Sequence, residues 1–264
     1  MPNFKLNFFR IVVFQLFLIN SVLGQLNFHL PVVIQNKTFE PINFHSAREI
    51  NNSEMKLYGK FKFSDTICLN ESNWYDSTKP QNYPYGYLLK DAKDTFNSDG
   101  FQLFPDYNTT VYYKSKADVF KNKTAFFPVY VVNETAKTKL FFIEDSRVSG
   151  IQELKDTVYP ENWYPIEHKA FSFGCEFYSG IKVHPAEFLV ILVPKYWGDS
   201  QLKMRVKVKI GENIYHSMPY LGHCNYRQLR MEKKSWIHNV YLSDKASTIF
   251  YYFYGSWPKG YIPF

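Results

Sequence analysis

Cysteine is scarce in this chain: Cys68, Cys175 and Cys224 are the only three in 264 residues. So few cannot staple a disulfide-built scaffold, and none falls in the paired Cys-x-x-Cys spacing of structural zinc sites. Familiar catalytic signatures are absent as well. There is no Gly-x-Ser-x-Gly nucleophile elbow and no His-Glu-x-x-His metal motif. Beyond the first two dozen residues, no apolar run approaches the roughly 18 residues that a membrane-spanning helix needs. No internal repeat of fixed period and no low-complexity tract occurs. Nothing here points to a cofactor or a metal. What the chain has in plenty is aromatic residues, 25 Phe, 21 Tyr and 5 Trp. That much ring area can build a core without disulfides at this length.

The first 24 residues read as a secretory signal peptide. Lys5 and Arg10 form a basic start, Ile11 to Ile19 is apolar apart from Gln15, and Val22-Leu23-Gly24 ends on a small residue. The expected mature chain is residues 25–264, a single secreted β-rich domain, with two small β domains divided near 146–165 as the alternative. Six Asn-x-Ser/Thr sequons agree with secretion: Asn36, Asn51, Asn70, Asn108, Asn122 and Asn133. All precede residue 136, so the first half is expected to carry the sugar and the second to be bare, since a glycan needs exposed backbone. Asn133 falls between two strand-like runs, where a turn would tolerate a glycan.

Charge divides at the same place. Lys5 and Arg10 account for two of the 31 cations, leaving 29 against 24 acidic residues. Residues 25–135 hold 12 of each sign, whereas residues 136–264 hold 17 cations and 12 acids. A bare, cationic half outside the cell suits an anionic glycan, a lipid head group or an acidic protein, and nucleic acid is not expected. In that compartment two cysteines can pair. Cys175–Cys224 is favoured because both lie in the second half, and the other two pairings stay open.

The most informative stretch is 187–211. Phe188-Leu189-Val190-Ile191-Leu192-Val193 is continuously apolar and stops at Pro194; Trp197-Gly198-Asp199-Ser200 reads as a turn. Leu202, Met204, Val206, Val208 and Ile210 then alternate with Lys203, Arg205, Lys207 and Lys209. Period-two alternation is a strand, so the stretch predicts a β-hairpin with one strand buried on both faces and the other cationic on one. Elsewhere, Met55, Leu57, Phe61 and Phe63 alternate with lysines around Gly59, a bulge position. Asn97 to Gly100 is a turn, and Phe126–Asn133 with Lys139–Ile143 predicts a second hairpin. Ile151, Leu154, Lys155 and Val158 follow helical spacing, Asn162 to Pro165 reads as a linker, and Tyr215 to Cys224 as irregular. Ile237–Leu242 and Thr248–Tyr254 read as the last strands. Ten to twelve short strands and one short helix predict an all-β antiparallel sandwich or barrel.

Candidate sites follow from these patterns. Lys203, Arg205, Lys207 and Lys209 present cations roughly 6.5–7 Å apart along one strand face, a spacing suited to an extended polyanion; an ordinary solvated sheet face is the alternative. Lys182, Arg227, Arg230, Lys233 and Lys234 would extend the patch. Trp74 and Tyr75, with Tyr83, Tyr85 and Tyr87, sit in or beside a long polar loop where rings can stack on sugar or a partner. His216, His223 and Cys224 lack the companions of a metal site. Glu161, Glu167, Glu176 and Glu187 could supply carboxylates to a glycosidase, though no spacing singles out a pair. The fragments Lys56-Leu-Tyr-Gly-Lys, Asn97-Ser-Asp-Gly-Phe and Ile214-Tyr-His resemble pieces of the nematode transthyretin-like secreted β-sandwich proteins. This chain is considerably longer and lacks their histidine–cysteine spacing, so no residue role carries over. The function expected is binding, with an extracellular carbohydrate-active hydrolase and a toxin-like or host-directed factor as alternatives.

Overall fold

A computed structural model describes residues 28–31, 33–34, 44–64, 66–68, 97–113, 124–144, 147–170 and 178–261. The expected signal peptide, Trp74, Tyr75, Cys175, Asn36, Asn70 and Asn122 lie outside them. In chain order the strands of the first half are β1 (Val33–Ile34), β2 (Asn51–Asn52), β3 (Lys56–Lys62), β4 (Ile67–Cys68), β5 (Phe101–Pro105), β6 (Val111–Tyr113), β7 (Thr124–Asn133) and β8 (Lys139–Glu144). Those of the second are β9 (Gly150–Lys155), β10 (Trp163–Pro165), β11 (Glu167–His168), β12 (Tyr178–Val183), β13 (Glu187–Pro194), β14 (Ser200–Ile210), β15 (Asn213–His216) and β16 (Tyr220–Cys224). Two helices follow, α1 (Trp236–Ser243) and α2 (Lys245–Tyr252).

The fold is all-β, built on two antiparallel sheets. One runs β3-β13-β7-β5, with β6 also on β7; the other runs β10-β9-β14-β15, with β16 also on β14. β8 pairs with β12, and two short parallel pairs, β1-β4 and β2-β11, flank them. β13 explains the arrangement. Period two sends Leu189, Ile191 and Val193 into one cluster with Val206, Val208 and Ile210 of β14. Phe188, Val190 and Leu192 point the opposite way, into a second cluster with Tyr58, Phe126 and Tyr130. Each fully buried aliphatic side chain contributes roughly 1.5–3 kcal/mol, so both faces of β13 are driven inward.

The predicted hairpins are the main correction. β13 does not pair with β14; it bonds to β3 and β7, and the two strands face one another across the core. β7 likewise does not pair with β8, which bonds to β12. The β13–β14 turn is therefore a crossing between the two sheets. A strand buried on both faces needs a neighbour on each edge and a layer above and below, which a two-stranded hairpin cannot supply. The bulge holds: register shifts between Val190 and Ile191, opposite the step from Gly59 to Leu57.

Three segments also change type. The stretch read as a helix, 151–158, begins as β9, where Gln152 and Glu153 are buried rather than solvent-facing. The linker and the irregular stretch carry β10, β15 and β16. The last two expected strands are α1 and α2. Their start signals are side-chain caps: Ser235 Oγ accepts a bond from His238 N at 3.3 Å, and Asp244 Oδ1 accepts one from Ser247 N at 3.0 Å. Ile237 and Tyr241, then Ile249 and Phe253, sit four apart and bury together with Met231.

Candidate functional site

Where the chain passes from β13 to β14 it leaves an open cavity of about 750 Å³. Its lining comes from the end of β13 (Lys195, Tyr196, Trp197), the β5–β6 turn (Asp106, Tyr107, Asn108), β14 (Gln201), β16 (Tyr220, Leu221, His223), and Leu30, Phe44 and Pro105. Pro194 ends β13, and the chain is then held on both sides. Lys195 N donates to Ala125 O at 2.9 Å, His45 N to Lys195 O at 3.1 Å, and Trp197 N to His45 O at 2.8 Å. Gly198 lets this segment press against β16: a Cβ there would lie 1.9 Å from the carbonyl carbon of Cys224. With its backbone fixed, Trp197 still has 63% of its surface exposed, and Phe44 stands beside it with ring centroids 6.3 Å apart. A tryptophan held open in this way has no packing role to explain it.

The other wall is an aromatic stack. The rings of Tyr107 and Tyr220 lie parallel at 5.1 Å, with Phe127 edge-on to Tyr107 at 5.0 Å. Tyr107 Oη accepts a bond from His223 N at 3.0 Å. Lys195 Nζ donates to Tyr107 O at 2.6 Å and Thr110 Oγ1 at 2.8 Å, and lies 4.5 Å from the Tyr107 ring. Burial lowers the Lys195 pKa, and the Asp106 carboxylate partly offsets this. Gln201 and His223 face one another across β14 and β16, and both are exposed. Among the described residues the side chains of Gln201, His223 and Asn108 have no hydrogen-bond partner, so donors and acceptors line a cavity already walled by rings.

Beneath the floor runs a buried polar chain. Tyr220 Oη donates to Gln152 Oε1 at 2.8 Å, and Gln152 Nε2 donates to Glu167 Oε1 at 3.0 Å and Pro194 O at 3.0 Å. Glu167 also accepts from Gln152 N at 2.8 Å and from Tyr196 Oη at 2.8 Å. The chain thus joins two cavity tyrosines through one carboxyl. Burial raises the Glu167 pKa to about 7, opposed by these donors. Glu187 is elsewhere, 3.1 Å from Lys60. Asp106 is the one carboxylate among the described residues of the cavity lining. Among the described residues no carboxylate pair of the kind a glycosidase needs is assembled there.

The cationic row of β14 is not an open face. Arg205 Nε donates to Glu153 Oε2 at 2.6 Å and stacks over Trp163 at 4.3 Å. Lys207 is buried, 3.3 Å from Glu153 Oε1 and 2.5 Å from Ser256 Oγ, which donates in turn to Glu153. Lys209 lies 5.3 Å from the Phe250 ring and 3.9 Å from Glu212. Lys203 alone of the four is exposed with no partner among the described residues. Glu153 comes from the stretch read as a helix, Phe250 from the stretch read as the last strand, and Ser256 from just beyond it. Neither was visible as a cover for the row.

The sequons fare unequally. Asn51 is exposed on β2, and Asn108 is exposed in the turn after β5. Asn133 is fully buried: its Nδ2 donates to Lys137 O at 2.8 Å and Val183 O at 2.9 Å, and its Oδ1 accepts from Thr135 N at 3.0 Å. One amide hydrogen closes the turn onto Lys137 and the other ties β7 to β12 at Val183, so the tolerant turn expected at this sequon is instead a closed clamp. The division at residue 136 is one of sequence and not of space, because β13 lies between β3 and β7. Cys224 is buried as a free thiol, its pKa raised by burial to about 11. Its expected partner, Cys175, lies outside the described residues. Among the described residues no three His, Cys, Asp or Glu side chains gather to hold a metal ion, and no helix is long and apolar enough to cross a membrane.

Comparison with protein-family models, curated proteins and solved structures finds no match to this chain. The likeness to the transthyretin-like proteins stops at its short fragments. The cavity residues left only one trace in the sequence, a tryptophan inside a Gly-Asp-Ser turn, where a large ring has nothing local to bury against.

Proposed function

We propose that this protein is a secreted, N-glycosylated binding protein whose ligand site is the cavity at Trp197 and whose ligand is a carbohydrate. The observation that carries the reading is the exposed Trp197 beside two polar side chains without partners among the described residues, Gln201 and His223. A pyranose has an apolar C–H face that packs on an aromatic ring and a hydroxyl rim that needs both donors and acceptors. Concave sites with few, well-placed polar groups are the usual form of such pockets. The cationic excess of the second half favours an anionic glycan at long range. The paired state of Arg205 and Lys207 favours the cavity over the β14 row as the contact surface. Titrating neutral and sulfated oligosaccharides while following tryptophan fluorescence tests the reading. Trp197→Ala should abolish binding while Lys203→Ala leaves it unchanged. A ligand that binds both variants equally well would place the site elsewhere.

A second reading, contact with a lipid surface, draws on one feature. Leu242, Phe250 and Tyr251 of the terminal helices are 62%, 56% and 61% exposed, with Lys209 over Phe250. Leakage from anionic vesicles that is lost in Phe250→Ala would favour it, and no leakage from such vesicles would remove it.

A further inference from the structure

We infer that the N-linked glycan of Asn108 lies over Trp197, so that the cavity of the glycoprotein is capped by the chain's own sugar. This rests on the reading of the cavity as a carbohydrate site. Asn108-Thr109-Thr110 is a sequon, and its asparagine lines the same cavity as Trp197, Gln201 and His223. The contrast with Asn133 is chemical. Asn133 uses both amide hydrogens inside the fold, whereas the exposed Asn108 carboxamide has no partner among the described residues.

The root of the glycan and its platform are also held in register. Lys195 Nζ bonds Tyr107 O at 2.6 Å and Thr110 Oγ1 at 2.8 Å, one residue before and two after Asn108. The same lysine stands two positions before Trp197. Asp106 Oδ1 accepts a bond from Thr109 N at 3.2 Å and closes the turn. A sugar joined to Asn108 therefore starts from a fixed point at the cavity wall.

Glycosylation itself is ordinary chemistry. The Asn108 amide nitrogen takes the anomeric carbon of an oligosaccharide carried on a lipid diphosphate. The new N–C1 bond replaces the C1–O bond, the lipid diphosphate leaves with that electron pair, and the amide gives up one proton. The first residues delivered are N-acetylglucosamine. Their ring offers an apolar face to Trp197, and their acetamido group offers a donor and an acceptor to Gln201 and His223, which line the same cavity as Asn108. A short tether supplies an effective concentration on the order of millimolar, which outcompetes a weakly bound free sugar.

The test uses the full chain secreted from a eukaryotic cell. Site-resolved release of the glycans by peptide:N-glycosidase on folded protein should find the Asn108 glycan at least tenfold slower to leave than the other glycans. Trp197→Ala should abolish the protection. Gln201→Ala, at an exposed strand position, should weaken it and serves if the first variant folds poorly. An unmodified Asn108, release at the common rate, or protection that survives both substitutions would overturn the inference. Titration of Asn108→Gln with N,N′-diacetylchitobiose separates it from the underlying reading. About tenfold tighter binding than the glycosylated wild type supports the cap. Equal and measurable binding by both overturns the cap and leaves the carbohydrate site standing, and no binding together with an unprotected glycan removes both.

Discussion

Two of the three buried carboxylates among the described residues, Glu153 and Glu167, are accommodated by opposite chemistry. Glu153 faces cations, with Arg205 at 2.6 Å and Lys207 at 3.3 Å, under a lid that includes Ser256. Glu167 faces only neutral donors, the Gln152 amide and backbone and the Tyr196 hydroxyl. The first arrangement locks the C-terminal segment onto β9 and β14. The second leaves a carboxyl whose charge burial opposes, placed directly behind the candidate ligand cavity.

Removing Glu153 should have the largest effect. Glu153→Ala strands Arg205 and Lys207, and breaking a buried pair from one side costs about 3–5 kcal/mol. Urea unfolding should show that loss, with the C-terminal helices exchanging amide hydrogens faster than the sheets. Equal exchange everywhere would mean that the network does not hold that segment.

Glu167 should act through pH. Its proton is bound more tightly in the fold, near pH 7, than in the unfolded chain, near 4.5. The contribution is therefore full below about pH 4.5, declines as pH rises, and levels off above about 7. At about 1.4 kcal/mol per pH unit the decline amounts to about 3 kcal/mol. His216 works the other way. Burial, then Arg205, lowers its pKa to about 4, so its contribution is present above about 6.5 and is lost as pH falls through 4. Subtracting the stability curve of Glu167→Gln isolates the first component. A difference curve that is flat between pH 4.5 and 7 would contradict it.

The sequence conveyed this comparison only in part. Alternation at 202–210 marked β14 correctly, and the apolar run at 188–193 marked a doubly buried strand, because side-chain period is a local property. Partners are not local. Glu153 reaches Arg205 across 52 residues and Ser256 across 103, and no periodicity registers such distances. Gln152 and Glu153 mislead for the same reason: polar residues in an apolar run look like the wet face of a helix until their buried partners are known. The aromatic run at 250–254 carried strand propensity, yet the caps at Ser235 and Asp244 decided for helices. Nor does adjacency in sequence decide pairing: β13 and β14 lie in different sheets, and β8 bonds to β12 rather than to β7.

Gly198 offers a test on the cavity side alone. An alanine Cβ would meet the Cys224 backbone at 1.9 Å, so the segment bearing Trp197 must move. Overpacking of this kind costs about 1–3 kcal/mol. Gly198→Ala should lower the melting temperature and change Trp197 fluorescence while leaving the exchange rates of α1 and α2 at wild-type values. Faster exchange in those helices would join the two regions that the carboxylates otherwise divide.

The smallest effect should come from Lys203, and it sharpens the comparison most. Lys203 and Lys207 project from the same face of β14, four residues apart, and the sequence pattern treats them as equals. Glu153 and Ser256 bind one and leave the other to solvent. Lys203→Ala should change unfolding free energy by no more than about 0.5 kcal/mol, as exposed sites do. Lys207→Ala should cost about 1–3 kcal/mol, because Ser256 and Glu153 lose a buried donor. Equal losses at the two positions would mean that the row behaves as one solvated face and that Glu153 does not divide it. Unequal losses would make burial, rather than spacing along the strand, the property that decides what a cation on β14 does.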